Sequence, residues 1–250
     1  MLMRRFFKIS YIVFFILALF FSKALAAPTY VDAFSISNEE GYVHGLAFSS
    51  DGTVVYIIGH GADRVYQYPL DTAWDISSAN SQTGSLSPPD AEGSPLDSRD
   101  IKFNTDGTRL FVLDRTGAAD DDPVKDRVYQ WSLSTAWDVT TGSYTNGNFI
   151  VIAEDSKPNS FTFSSDGTNM FILGAVNNKV FQYSLTTGFD ITTAAYTGNS
   201  FDISTEEGSP EGLEFSRDGT QMFVVGHSND SIFQYSLTTA WDITTASYTS

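Results

Sequence analysis

The sequence contains no cysteine among its 250 residues. Disulfide bonds, thiol nucleophiles and thiolate metal sites are therefore excluded. Because exported proteins often rely on disulfides, a chain without them must take its stability from a hydrophobic core. About 224 residues follow the first 26, which is enough to form one such core.

Basic residues are scarce as well, with 14 lysines and arginines against 30 aspartates and glutamates. Four of the 14 lie in the first 26 residues, so the remainder carries 10 basic and 30 acidic residues, a net charge of −20. Such a charge repels phosphate backbones, and we expect no binding to nucleic acid. It suits a soluble protein, cation-rich surroundings or a basic partner.

The sequence also lacks the common motifs of catalysis. It has no Gly-x-Ser-x-Gly elbow, no glycine-rich phosphate loop before a helix and no His-Glu-x-x-His. Beyond the N-terminal segment, no stretch has helical periodicity. These absences favour an all-β protein that is not an enzyme, and they give no reason to expect a cofactor.

The N-terminal segment is predicted to be a signal peptide, residues 1–26. Arg4, Arg5 and Lys8 precede an almost wholly apolar run over residues 9–21, and Ala24-Leu25-Ala26 supplies the small-x-small site of a signal peptidase. An uncleaved membrane anchor is the alternative, but the run is shorter than the ~20 residues that span a bilayer. We therefore expect a secreted, periplasmic or cell-surface protein that is not inserted in the membrane after cleavage.

One short motif recurs four times in the rest of the chain, residues 27–250. Asp-Gly-Thr lies three positions after a Phe and precedes an apolar run, with copies that begin at Asp51, Asp106, Asp166 and Asp218. The spacings are 55, 60 and 52 residues, close to the length of one propeller blade. Units this short cannot bury their apolar faces alone and must stack on one another. The repeat predicts a β-propeller with four visible four-stranded blades.

Each unit is predicted to contain three strands, a loop with a large ring and a fourth strand. The first strand ends in Phe, and the Asp-Gly pair that follows supports a tight turn. The second strand, such as Leu110-Phe-Val-Leu, is apolar without alternation in all four units. Such runs are typical of strands buried on both faces, which indicates sheets packed face to face.

Two further positions recur in every unit. A glutamine lies between the aromatic residues of each third strand, and we expect it to be a buried amide bonded to neighbouring backbone. A large ring follows Thr-Ala or Thr-Gly, and it is predicted to pack between blades, with sugar stacking as the alternative. The glutamines are Gln67, Gln130, Gln182 and Gln234, and the rings are Trp74, Trp137, Phe189 and Trp241.

The units resemble bacterial exported β-propeller repeats of the YVTN or surface-layer type, which share the order strand, Ser-x-Asp-Gly-Thr, apolar strand. The resemblance covers residues 29–250. It implies a propeller, but propellers include binding proteins, lyases, lactonases and scaffolds, so it implies no single activity. Propellers of this family typically have more than four blades.

The N-terminal residues are predicted to close the ring. Residues 30–40 resemble residues 196–207, which are read as the outer strand of the third blade. They would then complete the last blade beside residues 232–235 and cover its edge. The alternative is an open arc that belongs to a longer or self-associating protein.

Polar residues that differ from unit to unit mark one predicted rim of the propeller. Four residues before each inner-strand Phe, the side chains are all polar and all different, and the loops between second and third strands are expected to reach the same rim. Divergence at one position of a regular unit is typical of a mouth that binds a ligand, although solvated loop ends would look similar. The candidates are His44, Arg99, Asn159 and Glu211, with His60, Arg115 and His227 from the loops.

Two groups of residues are weak candidates for a metal ion. In a closed ring His60 and His227 become neighbours and join His44 and Glu211, which suits zinc, although no zinc-motif spacing supports it. An inserted loop offers carboxylates for calcium without the Asp-x-Asp-x-Asp-Gly order, and a solvated acidic loop is the alternative. Its acidic residues are Asp120, Asp121, Asp122 and Asp126.

The sequence therefore predicts an exported binding module that recognises a protein, glycan or surface component through the rim. One alternative is a lactonase- or lyase-like hydrolase, in which His44, Arg99 and Glu211 supply acid–base chemistry in the central channel. Another is a structural component of a surface assembly. The oligomeric state is left open.

Overall fold

The structure is a computed structural model that describes residues 30–89, 97–115, 126–151 and 153–248, except for the side chains of residues 145 and 146. Contacts divide the chain into residues 1–32 and 33–250. In the first unit the described residues 30–32 form neither helix nor strand. The predicted signal peptide lies outside the described residues, and within them no helix is long and apolar enough to cross a membrane.

Residues 33–250 contain four four-stranded antiparallel sheets, each with its strands in sequence order, arranged as a four-blade β-propeller. Blade 1 comprises β1 (Val43–Phe48), β2 (Val54–Gly59), β3 (Val65–Pro69) and β4 (Gly84–Leu86). Blade 2 comprises β5 (Ser98–Phe103), β6 (Arg109–Asp114), β7 (Arg127–Leu133) and β8 (Gly142–Ile150). Blade 3 comprises β9 (Pro158–Phe163), β10 (Asn169–Gly174), β11 (Lys179–Leu185) and β12 (Ala194–Asp202). Blade 4 comprises β13 (Pro210–Phe215), β14 (Gln221–Gly226), β15 (Ser231–Leu237) and β16 (Ala246–Tyr248). The predicted fold class is confirmed.

A short 3₁₀ helix joins the third and fourth strands of every blade. In each helix an aspartate at the N-cap accepts a backbone N–H two residues on, as Asp75 does from Ser77. The helices are Ile76–Ser78, Val139–Thr141, Ile191–Thr193 and Ile243–Thr245.

Each Asp-Gly-Thr motif forms the tight turn between the first and second strands. The carboxylate of Asp51 accepts hydrogen bonds from the Ser49 hydroxyl and from both the N–H and the hydroxyl of Thr53. These bonds, from Ser49 first, lower the pKa of Asp51 to about 2. Gly52 adopts a φ of 72°, a left-handed conformation that glycine accepts without strain.

The large ring of each unit covers the glycine of its own turn. A Cβ added to Gly107 would lie 2.2 Å from the Trp137 ring, and the N–H of Trp137 donates to the Gly107 carbonyl. Trp137, Phe189 and Trp241 also pack against the clusters between blades, as predicted. Trp74, in blade 1, is 62% exposed.

Three hydrophobic clusters join neighbouring blades, and burial of one such side chain stabilises by about 1.5–3 kcal/mol. Between blades 1 and 2 the cluster includes Tyr56, Ile58, Val65, Ile101, Leu110 and Val112. Between blades 2 and 3 it includes Phe111, Leu113, Val128, Phe161, Met170 and Ile172. Between blades 3 and 4 it includes Phe171, Leu173, Val180, Leu213, Met222 and Val224.

In blades 1–3 the recurring glutamine links the blade to the 3₁₀ helix of the next, which confirms its predicted role for three of the four glutamines. The side-chain oxygens of Gln67, Gln130 and Gln182 accept the first N–H of the following helix at 2.9, 3.0 and 3.3 Å. A buried N–H left without a partner would cost about 1–3 kcal/mol, so these bonds fix how neighbouring blades align. Gln234, in blade 4, is exposed.

Four predictions about the ends of the repeat array are wrong, and two of them concern Trp74 and Gln234, which are exposed and not packed between blades. The second strand of unit four is not buried on both faces, because Met222 and Val224 are buried while Val225 is 44% exposed. Residues 30–40 do not complete blade 4, because β16 pairs with β15 there. Phe34 and Ile36 pack instead against a cluster of blade 1, which comprises Val55, Ile57, Tyr66, Tyr68 and Leu70.

We predict that Gly107→Ala destabilises the protein more than Gly198→Ala. Both glycines have a positive φ, which costs an L-residue roughly 1–2 kcal/mol. Only at Gly107 does the added Cβ also meet a ring, whereas nothing lies within 4 Å at Gly198. Overpacking should add about 1–3 kcal/mol at Gly107, measured by urea unfolding. Equal losses in the two variants would contradict this account of the turn.

Candidate functional site

The innermost strands of all four blades contribute to one cavity of about 340 Å³. His44 of β1, Arg99 of β5, Asn159 of β9 and Glu211 of β13 line it, so the structure brings together four residues that are 52–60 positions apart in sequence. They occupy the same step of four equivalent strands, which explains their convergence. Apolar side chains complete the wall, among them Leu46, Leu213, Val225 and Ile232.

One end of the rim is a pair of imidazoles. His44 Nε2 lies 2.9 Å from His60 Nδ1, and the two rings stack with centroids 5.1 Å apart. Tyr42 stacks on the other face of His60, with centroids 4.7 Å apart. An Arg99 nitrogen lies 3.5 Å from His44 Nε2 and links the pair to blade 2.

An aspartate that the sequence analysis missed holds the centre of the rim. Asp97 Oδ2 accepts hydrogen bonds from Arg99 and from Nε and Nη2 of Arg115, the latter two at 3.3 and 3.2 Å. Its other oxygen lies 3.7 Å from His60 Nδ1 and is buried without a hydrogen-bond partner. The pair of arginines therefore depends on Asp97 for its position and for charge balance.

The opposite end of the rim runs through blades 3 and 4. Arg115 Nη1 donates to Asn159 Oδ1 at 2.6 Å, and Asn159 Nδ2 donates to Glu211 Oε2 at 3.2 Å. Glu211 Oε1 lies 3.3 Å from His227 Nδ1. All seven predicted rim residues thus belong to one polar network with Asp97.

Deeper in the cavity lies a second charged group, also missed by the sequence analysis. The Lys102 ammonium lies 3.8 Å from Asp100 Oδ2 and 3.3 Å from Glu214 Oε2. Burial lowers the pKa of Lys102, but the two carboxylates outweigh it and the net shift is upward. Asp100 is itself buried and accepts from the Ser160 hydroxyl at 2.7 Å. Lys102 therefore stays protonated beside the cavity.

A signal for these missed residues was present in the sequence. Asp97 lies two residues before the rim position, where the other units carry Tyr42, Lys157 and Ser209. Lys102 lies three residues after it, where they carry Ala47, Thr162 and Glu214. As at the rim, the residue type at these two positions differs from unit to unit. This difference indicates a site only when the strand register shows which side chains share a face.

His44 is the group best placed to accept a proton. Burial lowers its pKa below the ordinary value, and this outweighs the nearby Asp97 carboxylate, which raises it. The imidazole is therefore neutral near pH 7, with the Arg99 guanidinium beside it. A neutral base next to a fixed cation can activate water near a carbonyl group whose oxygen becomes negative.

Among the described residues, the structure brings together a candidate set of metal ligands that differs from the predicted one. His44 Nε2, His60 Nδ1 and an Asp97 oxygen lie within 4.8 Å of one another, a donor set that suits zinc. His227 is not part of it, because it binds Glu211 at the other end of the rim. Arg99 and Arg115 already neutralise Asp97, which opposes a divalent cation there.

The predicted calcium loop can be assessed at one residue only. Asp120, Asp121 and Asp122 lie outside the described residues, whereas Asp126 is buried immediately before β7. Burial first, and then the Asp114 carboxylate, raises the pKa of Asp126 to about 7. A calcium site in this loop stays a prediction.

Comparison with known proteins supports the fold. No protein-family model matches the sequence, and no curated protein matches it either. Among solved structures, the chain is similar to a periplasmic gluconolactonase from Pseudomonas aeruginosa, with a TM-score of 0.54, 14% identity and coverage of 82% of this chain and 55% of that one. A proposed 6-phosphogluconolactonase from Bacteroides fragilis has a TM-score of 0.53, 14% identity and coverage of 82% and 54%.

A third similar structure is a β-propeller domain from Myceliophteria thermophila, with a TM-score of 0.50, 12% identity and coverage of 78% of this chain and 54% of that one. At these identities the likeness shows the fold alone. The chain spans about half the length of the solved structures it matches.

We predict that stability falls between pH 5 and pH 7 because of Asp126. Its folded pKa of about 7 lies above the ordinary value of 3.8, so the folded state keeps a proton that the unfolded chain releases. The free energy of unfolding should therefore fall by up to about 1.4 kcal/mol per pH unit until the folded group ionises. Asp126→Asn should flatten this slope in urea unfolding at several pH values.

Asp218→Asn is the matched control for that experiment. Hydrogen bonds from Ser216 and Thr220 lower the pKa of Asp218, so this group is ionised in both states throughout the range. Its variant should keep the parental slope. The same slope in Asp126→Asn as in the parent would show that Asp126 does not titrate in this range.

Proposed function

We propose that this chain is a binding module whose axial cavity holds a small sugar-derived ligand with hydroxyl and carboxylate groups. One observation carries the proposal: seven rim residues from four blades and Asp97 form a continuous polar network at the mouth of one cavity. The repeat itself does not require this network, because the four units carry different residue types at the equivalent rim position. A rigid scaffold with divergent polar groups at one mouth is a common plan for ligand sites.

The composition of the cavity supports this ligand class. Arg99 and Lys102 line the cavity as fixed cations that suit a carboxylate, and Asn159 and Glu211 offer donors and acceptors for hydroxyl groups. The apolar wall suits the C–H faces of a sugar ring. A volume of about 340 Å³ lies at the lower end of the range for small-molecule pockets.

Export and the repeat family are parts of the same proposal. The basic, apolar and small-x-small order of the first 26 residues supports a secreted, periplasmic or cell-surface location. The Ser-x-Asp-Gly-Thr turns support a relationship to YVTN or surface-layer-type repeats. A surface glycan or its breakdown product would then be accessible to the cavity.

We predict that gluconate binds the purified protein and that Arg99→Met weakens this binding at least tenfold. A hydrogen bond to a charged group contributes about 1.5–3 kcal/mol, which corresponds to such a factor. Arg217→Met is the control, because Arg217 is exposed in the Asp-Gly-Thr turn of blade 4, beyond the far end of β13. Isothermal titration calorimetry measures both, with the melting temperature of each variant checked alongside.

The proposal fails if the parent protein binds neither gluconate nor related sugar acids at millimolar concentration. It also fails if Arg99→Met and Arg217→Met bind equally well. A selective loss in Arg99→Met with an unchanged melting temperature would support the cavity as the site.

Lactone hydrolysis is the second candidate function. It is favoured by the neutral His44 imidazole beside Arg99 and by similarity to proteins described as gluconolactonases. His44 would take a proton from water as the water oxygen bonds to the acyl carbon, and Arg99 would stabilise the oxyanion. The acyl–oxygen bond of the ring then breaks, the ring oxygen receives the proton from His44, and a hydroxy acid is formed.

If this activity exists, His44→Gln should reduce the turnover of glucono-1,5-lactone by about 10²–10⁴-fold, the usual contribution of a general base. His227→Gln is the control, because His227 contacts Glu211 at the far end of the rim. The rate, followed by pH-stat after subtraction of spontaneous hydrolysis, should rise with pH as His44 loses its proton and then level off.

Equal turnover in the His44 and His227 variants would exclude His44 as the base. Loss of activity with a chelator, restored by zinc, would instead point to His44, His60 and Asp97 as metal ligands.

A further inference from the structure

Blade 4 exposes a face that is buried in every other blade. Ile232 is 75% exposed and Val225 is 44% exposed, and Phe223 is only partly buried. Their counterparts in the first three blades are fully buried at 0% exposure: Val65, Val128 and Val180; Ile58, Leu113 and Leu173; and Tyr56, Phe111 and Phe171. In those blades the following blade covers the face, so blade 4 presents one half of an interface between blades.

Blade 1 presents the other half. Leu46 of its inner strand is 55% exposed, whereas the equivalent Ile101, Phe161 and Leu213 are buried against a preceding blade. Trp74 is exposed beside Phe48, with ring centroids 5.2 Å apart. In the three formed junctions an aromatic ring of the preceding blade contacts this Phe position: Tyr56–Phe103 at 4.5 Å, Phe111–Phe163 at 4.7 Å and Phe171–Phe215 at 4.5 Å.

Phe223 is the blade 4 counterpart of those three rings. The Phe48–Trp74 pair of blade 1 is the counterpart of the surfaces that receive them. The chain therefore carries both complementary faces of a fourth junction, and among the described residues no hydrophobic cluster joins blade 4 to blade 1.

Residues 34–40 already occupy, beside blade 1, the place that the outer strand of a preceding blade occupies beside blade 4. Phe34 contacts Tyr68 edge-on at 5.4 Å, as Phe201 of β12 contacts Tyr235 of the next blade at 5.3 Å. The N–H of Glu40 donates to the Ile36 carbonyl at 3.0 Å, as the N–H of Glu207 donates to Ile203 at 2.9 Å.

The carboxylates that follow also bind alike. Glu40 accepts from the N–H groups of Tyr42, Gly61 and Ala62. Glu207 accepts from those of Ser209, Ser228 and Asn229. In blade 3, Phe201 lies opposite Val180 in the ladder, and the blade 4 counterpart of Val180 is Ile232.

We propose that two copies of this chain associate head to tail, with blade 4 of one copy docked on blade 1 of the other. Phe223, Val225 and Ile232 of the first copy pack on Leu46, Phe48 and Trp74 of the second. The segment with Phe34 and Ile36 of the second copy adds beside Ile232 of the first, as an outer strand. The partner is a second copy because the two faces are halves of an interface that this chain forms three times with itself.

Such an interface is heterologous, because it uses the blade 4 face of one copy and the blade 1 face of the other. In a pair of copies, each copy therefore still has one face available for a further contact. Association ends when the last blade meets the first and a ring closes, and it continues as a filament otherwise. Leu46, Val225 and Ile232 also line the axial cavity, so docking supplies this cavity with a further wall. The proposal is independent of which ligand the cavity binds.

The test is sedimentation velocity of the purified protein from 1 to 100 µM. We expect concentration-dependent association, a loss of at least tenfold in affinity in Ile232→Glu and in Leu46→Glu, and no loss in Val176→Glu. Val176 is 52% exposed in the β10–β11 turn of blade 3 and serves as the control for an added surface charge. All three positions are exposed, and circular dichroism verifies that each variant is folded.

Mixing the two disrupted variants identifies the direction of docking. Ile232→Glu keeps an intact blade 1 face and Leu46→Glu keeps an intact blade 4 face, so their mixture should form a one-to-one complex that neither forms alone. A monomer at every concentration overturns the proposal, and so does association that survives either substitution. A mixture that stays monomeric, while each variant alone has lost association, overturns the head-to-tail arrangement.

Discussion

Burial of each sheet's apolar faces by its neighbours is the constraint on which the rest of the structure depends. In blade 2, for example, residues Leu110–Leu113 and Val128 give both faces of the sheet an apolar surface. Such a blade cannot remain folded in water by itself. At each formed junction a ring of one blade contacts the Phe of the next, and a glutamine amide binds the next 3₁₀ helix. The first interaction supplies stability and the second fixes alignment, since a misaligned blade would leave a buried N–H without a partner.

The candidate site follows from that alignment. Rigid junctions place the inner strands side by side, so one step of each strand contributes one polar side chain to the same mouth. The network that runs from His60 to His227 satisfies most of these groups, but one Asp97 oxygen and the Arg99 Nε are buried without a partner. Buried polar groups of this kind are costly to stability, and such costs are commonly tolerated where a ligand completes the hydrogen bonds.

Predictions from the repeat unit were accurate wherever the physics is local to the unit and its neighbour. The Asp-Gly-Thr turns, the buried glutamine and the rings of blades 2–4 were all expected from residue type and spacing. Predictions at the ends of the array were wrong, because they depend on whether a neighbouring blade exists. Met222-Phe-Val-Val has the same pattern as Leu110-Phe-Val-Leu, yet Val225 faces solvent and Leu113 does not. Phe34 was assigned to the wrong blade for the same reason.

The sequence by itself determined the blade: its strands, its turn, its ring over the glycine and its two apolar faces. Those features arise from contacts within about 60 residues, which a repeated pattern reports directly. Only the tertiary structure decided which rim residues touch, that Asp97 rather than His227 joins His44 and His60, and that blades 1 and 4 keep unmatched faces. These outcomes depend on how small rotations add up over three junctions, and no single repeat encodes that sum.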